Sequence, residues 1–140
     1  MRKRLFAFIF SFALAASLCF SISFASENRA SKTLSFYSVS CRAGSKSGEL
    51  RFSYDVRANT TADSVGVSSI VLYNSAGVYM TTVLGSTSNG LIDSNCVTCK
   101  DTYSHTAVSG NSYYAAVTVF AQIGDEYDSR KIITDVVTAP

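Results

Sequence analysis

Tryptophan is absent from this 140-residue chain, and histidine and proline each occur once. The single imidazole, His105, restricts acid–base chemistry. Serines and aspartates are plentiful enough to draw a Ser–His–Asp set on paper. However, no Gly-x-Ser-x-Gly elbow exists to present a nucleophilic serine on a sharp turn. A lone histidine in a short polar strand reads as a surface or edge residue. An Asp-x-Asp-x-Asp-Gly run is missing too. The acidic stretch with Asp125, Glu126 and Asp128 therefore reads as a solvated turn rather than a calcium loop. Nothing of useful length repeats apolar residues with a helical period, and neither internal repeats nor low-complexity tracts are present. No catalytic residues are assigned, and no cofactor is expected.

The one long hydrophobic run lies at the start. Met1-Arg2-Lys3-Arg4 forms a positive head, and Leu5 to Phe20 is apolar apart from Ser11 and Ser17. Ser23 and Ala25 then place small residues at −3 and −1 of a cleavage site between Ala25 and Ser26. These are the three parts of a secretory signal, so residues 1–25 are expected to be removed and the mature chain secreted. The run falls short of the ~20 apolar residues that span a bilayer core, so no membrane insertion is expected after cleavage. Leu18 before Cys19 is also wrong for lipid attachment. Three of the 12 basic residues leave with the signal, so residues 26–140 keep 9 Lys/Arg against 10 Asp/Glu. A chain so close to neutral lacks the overall charge of a nucleic-acid binder or of a protein attached to anionic membrane.

The mature chain is long enough for one domain with its own core. Residues 26–32 are short, polar and expected to be flexible, and 33–140 form the domain. Strands are expected over 33–40, 50–58, 65–73, 78–84, 103–108, 113–123 and 130–138. The clearest is 50–58, where Leu50, Phe52, Tyr54, Val56 and Ala58 alternate with Arg51, Ser53, Asp55 and Arg57. That period of two buries one face and wets the other. Asn59 to Asp63 reads as a loop, Asn74 to Gly77 as a hairpin turn, and Gly85 to Asp101 as the longest connection. About seven short antiparallel strands in this length predict an all-β sandwich.

The segment Ser109-Gly110-Asn-Ser-Tyr113-Tyr-Ala-Ala-Val117-Thr-Val119-Phe-Ala121, followed by a polar loop, Ser129-Arg-Lys-Ile-Ile and Val-Val-Thr138, resembles the last two strands of fibronectin type III and related immunoglobulin-like modules. The resemblance implies that Tyr113 opens the penultimate strand and bonds backbone through its hydroxyl at the corner. Two features depart from it: no proline precedes Gly110, and the early-strand core tryptophan is missing. The whole layout, with the Val65 to Ile70 strand, is also similar to small secreted proteins of unknown function from Gram-positive bacteria. That similarity implies a fold and no activity.

Cys41, Cys96 and Cys99 remain in the mature chain, an odd number for an exported protein. The plainest reading is a disulfide from Cys41 to Cys96 or Cys99, or one within Cys96-Val-Thr-Cys99, with the third thiol free or bound to a partner. A redox Cys-x-x-Cys is the second, though it needs a helix N-terminus or a cation beside its first sulfur. The third is a zinc site of Cys41, Cys96, Cys99 and His105, which has only half of the usual paired spacing.

Tyrosine is abundant, and it suits recognition surfaces because it offers large area at low entropic cost. Strand phase puts Tyr54 and Tyr113 in the core and Tyr79, Tyr114 and Tyr127 outside, as a possible binding surface. The expected function is a non-enzymatic extracellular or cell-surface binding module whose partner is a protein or glycan, not a nucleic acid. The alternative is a small secreted effector or antimicrobial-type protein acting on other cells.

Overall fold

The computed structural model describes residues 33–140. The expected signal peptide, its cleavage site and the 26–32 segment lie outside the described residues. The described residues contain seven strands and no helix: β1 (Leu34–Ala43), β2 (Glu49–Asn74), β3 (Tyr79–Leu84), β4 (Ile92–Thr106), β5 (Ser112–Ile123), β6 (Glu126–Ile133) and β7 (Val137–Thr138). All pairings are antiparallel and all belong to one sheet, which curls into a half-barrel.

The curl comes from β2. Two strands were expected with a loop at Asn59 to Asp63, yet the backbone stays extended through it, giving one strand of 26 residues. Its first half pairs with β1 on one side and with the second half of β4 on the other. Its second half pairs with β5 on one side, and with β3 and the start of β4 on the other. Between the halves the register with β4 jumps from Arg57↔Thr98 to Ala62↔Cys96. Such an irregularity bends and twists a strand. β2 thus carries the chain from one wing of the sheet to the other.

The expected long connection at Gly85 to Asp101 is also largely strand, because β4 begins at Ile92 and absorbs the short strand expected at 103–108. Its polar composition reflects its position. β4 pairs only with β2 and shows most of its residues to solvent. The expected last strand divides into β6 and the two-residue β7.

Both wings face one core. Leu50, Phe52, Tyr54 and Val56 from the first half of β2 join Val67, Ile70 and Leu72 from the second, with Ala115, Val117 and Val119 of β5. Each of the larger aliphatic or aromatic side chains buried here contributes about 1.5–3 kcal/mol. A backbone hydrogen bond from Gly48 N to Pro140 O (2.6 Å) ties the wings together. Tyr113 is buried, and its hydroxyl accepts the Val108 N–H at 3.1 Å. That is the corner bond which the fibronectin-like segment implied.

Candidate functional site: an uncharged tyrosine face

Strand register decides what the cysteines can do. β1 and β4 flank the same half of β2, with Cys41 opposite Phe52 and Cys99 opposite Val56. Two strand spacings and four positions along the strand separate their Cα atoms by about 16 Å, whereas a disulfide needs less than ~7 Å. Cys96 lies farther along still, opposite Ala62. All three are free thiols. The expected Cys41 disulfide is therefore corrected, because the strand order holds Cys41 away from the other two; the alternative bridge within Cys96-Val-Thr-Cys99 is not formed either, both being free thiols on β4. The zinc alternative fails on the same grounds. His105 is six positions beyond Cys99 on one strand, about 20 Å away, too far to share an ion. Among the described residues no group of His, Cys, Asp or Glu is arranged to hold a metal.

The thiol environments also oppose redox chemistry. Burial pushes Cys41 up to about 11. Cys99 rises to about 12, through burial first and then Asp93. Its Sγ lies 3.6 Å from Leu91 O, so the thiol has a carbonyl to donate to. Cys96, half-buried, is raised by burial and by the same aspartate. A reactive cysteine needs a neighbouring cation to favour the thiolate. The adjacent Lys100 instead points to the outer face, where its Nζ sits 3.7 Å from Asp55 Oδ2. His105 is also inward. It lines an apolar groove of about 350 Å³ with Leu72, Met80, Val108 and Tyr113, and burial lowers its pKa.

The tyrosines are placed in two groups. Tyr54 and Tyr113 are core residues, as their strand phase predicts. Tyr79 and Tyr114 come together on the outer face of the second wing, and both meet a residue the sequence reading passed over, Tyr73. The Tyr73 ring stacks on Tyr114 (centroids 5.3 Å apart, planes at 16°) and meets Tyr79 edge-on at 6.3 Å. The hairpin turn after Tyr73 sets this up. Asn74 Oδ1 accepts the N–H groups of Ala76 (3.0 Å) and Val78 (2.9 Å), and Gly77 takes φ 81°. The turn folds where expected and brings Tyr79 opposite Tyr73. Tyr114 is opposite Tyr73 on the other side. Tyr79 remains 57% exposed, and its hydroxyl shares a hydrogen bond with Thr82 at 3.1 Å.

Tyr127 does not join them. It pairs with Gln122 and stacks on Phe120 at 5.6 Å. Eight strand positions separate it from Tyr114 along β5, about 26 Å. The signal that identifies Tyr73 is charge. From Ser64 to Ile92 and from Thr102 to Gly124 the sequence has no Asp, Glu, Lys or Arg. β3, β5 and the second half of β2 are therefore free of formal charge from Ser64 onward, the charges of this wing lying on β6 and at the start of β4, and Tyr73, Tyr79 and Tyr114 are the large rings at its turn end.

Fold and site thus define an all-β, half-barrel domain with an uncharged aromatic face. Compared with family models, curated proteins and solved structures, the chain matches none.

Proposed function

We propose that this is an exported, non-enzymatic β domain acting as an extracellular or cell-surface binding module, which engages a protein or glycan through Tyr73, Tyr79 and Tyr114. The observation that carries this is the stacked, part-exposed tyrosine cluster on strands β2, β3 and β5, which are free of charge around it. Stacked rings are already ordered, so little side-chain entropy is lost when a partner covers them. A face without charge suits a neutral sugar surface or the apolar patch of a protein. Export rests on the pattern of residues 1–25. A family relation to fibronectin type III and immunoglobulin-like modules, in the style of small secreted Gram-positive proteins, is supported by the Ser109 to Thr138 segment and by the Tyr113 corner bond.

The test uses protein recovered from culture medium, whose mass should begin at Ser26. It is applied to immobilised neutral glycans and to intact cell surfaces, beside a Tyr79→Ala/Tyr114→Ala variant of unchanged thermal stability. Loss of about 10-fold or more in affinity is expected, the size of a hot-spot deletion. Undiminished binding by the variant would sink the proposal.

A further inference from the structure

The opposite wing carries the charge that the tyrosine face lacks. On the outer side of β1, the first half of β2 and the second half of β4, cross-strand partners form rows: Phe36–Arg57–Thr98, Ser38–Asp55–Lys100, Ser40–Ser53–Thr102 and Arg42–Arg51–Ser104. Arg42, Arg51, Arg57 and Lys100 are all exposed. Three carboxylates face or border them, and each already has partners. Asp55 takes both Arg57 (2.7 and 2.9 Å) and Lys100. Glu49, at one end, accepts the backbone N–H groups of Ser45 (2.9 Å) and Lys46 (3.1 Å), although Arg51 is near enough to help lower its pKa. Asp101, at the rim, accepts Thr102 N at 2.7 Å.

Arg42 and Arg51 are left directly opposite each other on neighbouring strands, with no ion pair to either among the described residues. Like charges opposed in this way destabilise a sheet. Two guanidinium forks side by side are, however, well arranged to hold one anionic group between them. Next to this pair lies a shallow concavity of about 570 Å³ with the hydroxyls of Ser38, Ser40, Ser53 and Thr102 in its lining, and with Asp55, Lys100 and Asp101 at its far side. Ser53 and Thr102 already share a hydrogen bond at 3.1 Å.

We propose that this face is a second binding site, for a linear polysaccharide bearing carboxylate or sulfate groups. One anionic group sits between Arg42 and Arg51, sugar hydroxyls bond the serine and threonine row, and the polymer runs on toward Lys100 and Arg57. The rows of Arg51 and Arg57 are six strand positions, about 20 Å, apart, so a chain of several sugars is needed to reach both. The hydroxyl row selects against single-stranded nucleic acid, which seeks exposed rings for its bases. Phe36, the one ring in these rows, has the Arg57 guanidinium 5.1 Å from its centroid. An anionic membrane is disfavoured because Phe36 is the only large apolar side chain in these rows, too little apolar surface to insert.

The experiment measures binding of the mature protein to dextran sulfate and polygalacturonate. Neutral dextran, a single-stranded oligonucleotide, and phosphatidylglycerol–phosphatidylcholine vesicles serve as the other probes. Two double variants carry equal charge loss: Arg42→Ser/Arg51→Ser, and Arg130→Ser/Lys131→Ser on β6. The first should weaken binding to at least one anionic polysaccharide by about 10-fold or more, and reduce its salt dependence by roughly one to two units of slope. The second should leave both nearly unchanged. Equal weakening by the two variants, or tighter binding to the oligonucleotide or the vesicles, would overturn the proposal. The tyrosine-face proposal is untouched by either result, since those residues are on the other wing.

Discussion

Single residues are most informative where their environment opposes their usual chemistry. Cys99 and Cys41 are thiols that the core keeps protonated, so they act as small apolar side chains. His105 is a base that the groove keeps neutral. Its neighbours Leu72, Met80, Val108 and Tyr113 offer an imidazolium no carboxylate, and burial is the cause of its lowered pKa. In the unfolded chain the same ring titrates near 6.5. As pH falls below that value the unfolded state binds the proton first, so the stability contributed by neutral His105 is present above about 6.5 and is lost on acidification. Thermal unfolding should therefore move to lower temperature between pH 7.5 and 5. In a His105→Gln variant that decline should be shallower, with carboxylate protonation accounting for what remains. An identical pH slope in the variant would show that the groove does not exclude the charged ring.

At the scale of elements, the alternation of Leu50 to Ala58 and the Asn74 to Gly77 turn were legible because each is local. A period of two and a side-chain oxygen two residues from its donor need nothing distant. The continuity of β2 was not legible. Asn59, Thr60 and Thr61 are turn-like by composition, and they are held extended by the ladders of the residues before and after them, up to Ala58 and from Ala62 on. The cysteine pairing failed for a related reason, since spacing along the chain says nothing about which side of β2 a strand will take. Gly66 tests the bend directly. It adopts φ 146°, and a Cβ added there would lie 2.1 Å from Leu91 O and 3.1 Å from Cys99 Sγ. That carbonyl also accepts the Val67 N–H at 2.7 Å, fastening the entry to β4 onto β2. Gly66→Ala should therefore cost roughly 2–3 kcal/mol, lowering the melting temperature by about 10 °C or more in a domain of this size. Unchanged melting would mean that the β2–β4 junction is looser than its hydrogen bond indicates.

Across the whole molecule, a net charge near zero conceals two different surfaces, one an aromatic face on uncharged strands, the other carrying opposed arginines. Composition averages them, and only the fold separates them. The half-barrel also leaves its strands unequally protected. β5 lies between β2 on one side and β6 with β7 on the other, and its inward residues Ala115, Val117, Val119 and Ala121 are fully buried. β3 and β4 each pair with β2 alone, so alternate N–H groups along their outer edges face water. Natural edges of this kind are guarded by charge and by local irregularity. β4 has both, with Asp93, Lys100 and Asp101 along it and Asn95 at φ 55°. Amide hydrogen exchange should follow this order. β5 and the second half of β2 should exchange slowest, through global unfolding. In β3 and β4 roughly every second amide should exchange orders of magnitude faster. Protection of β4 equal to that of β5 would mean that its edge is covered in solution, and a fall in that protection on dilution would identify a second copy of the chain as the cover.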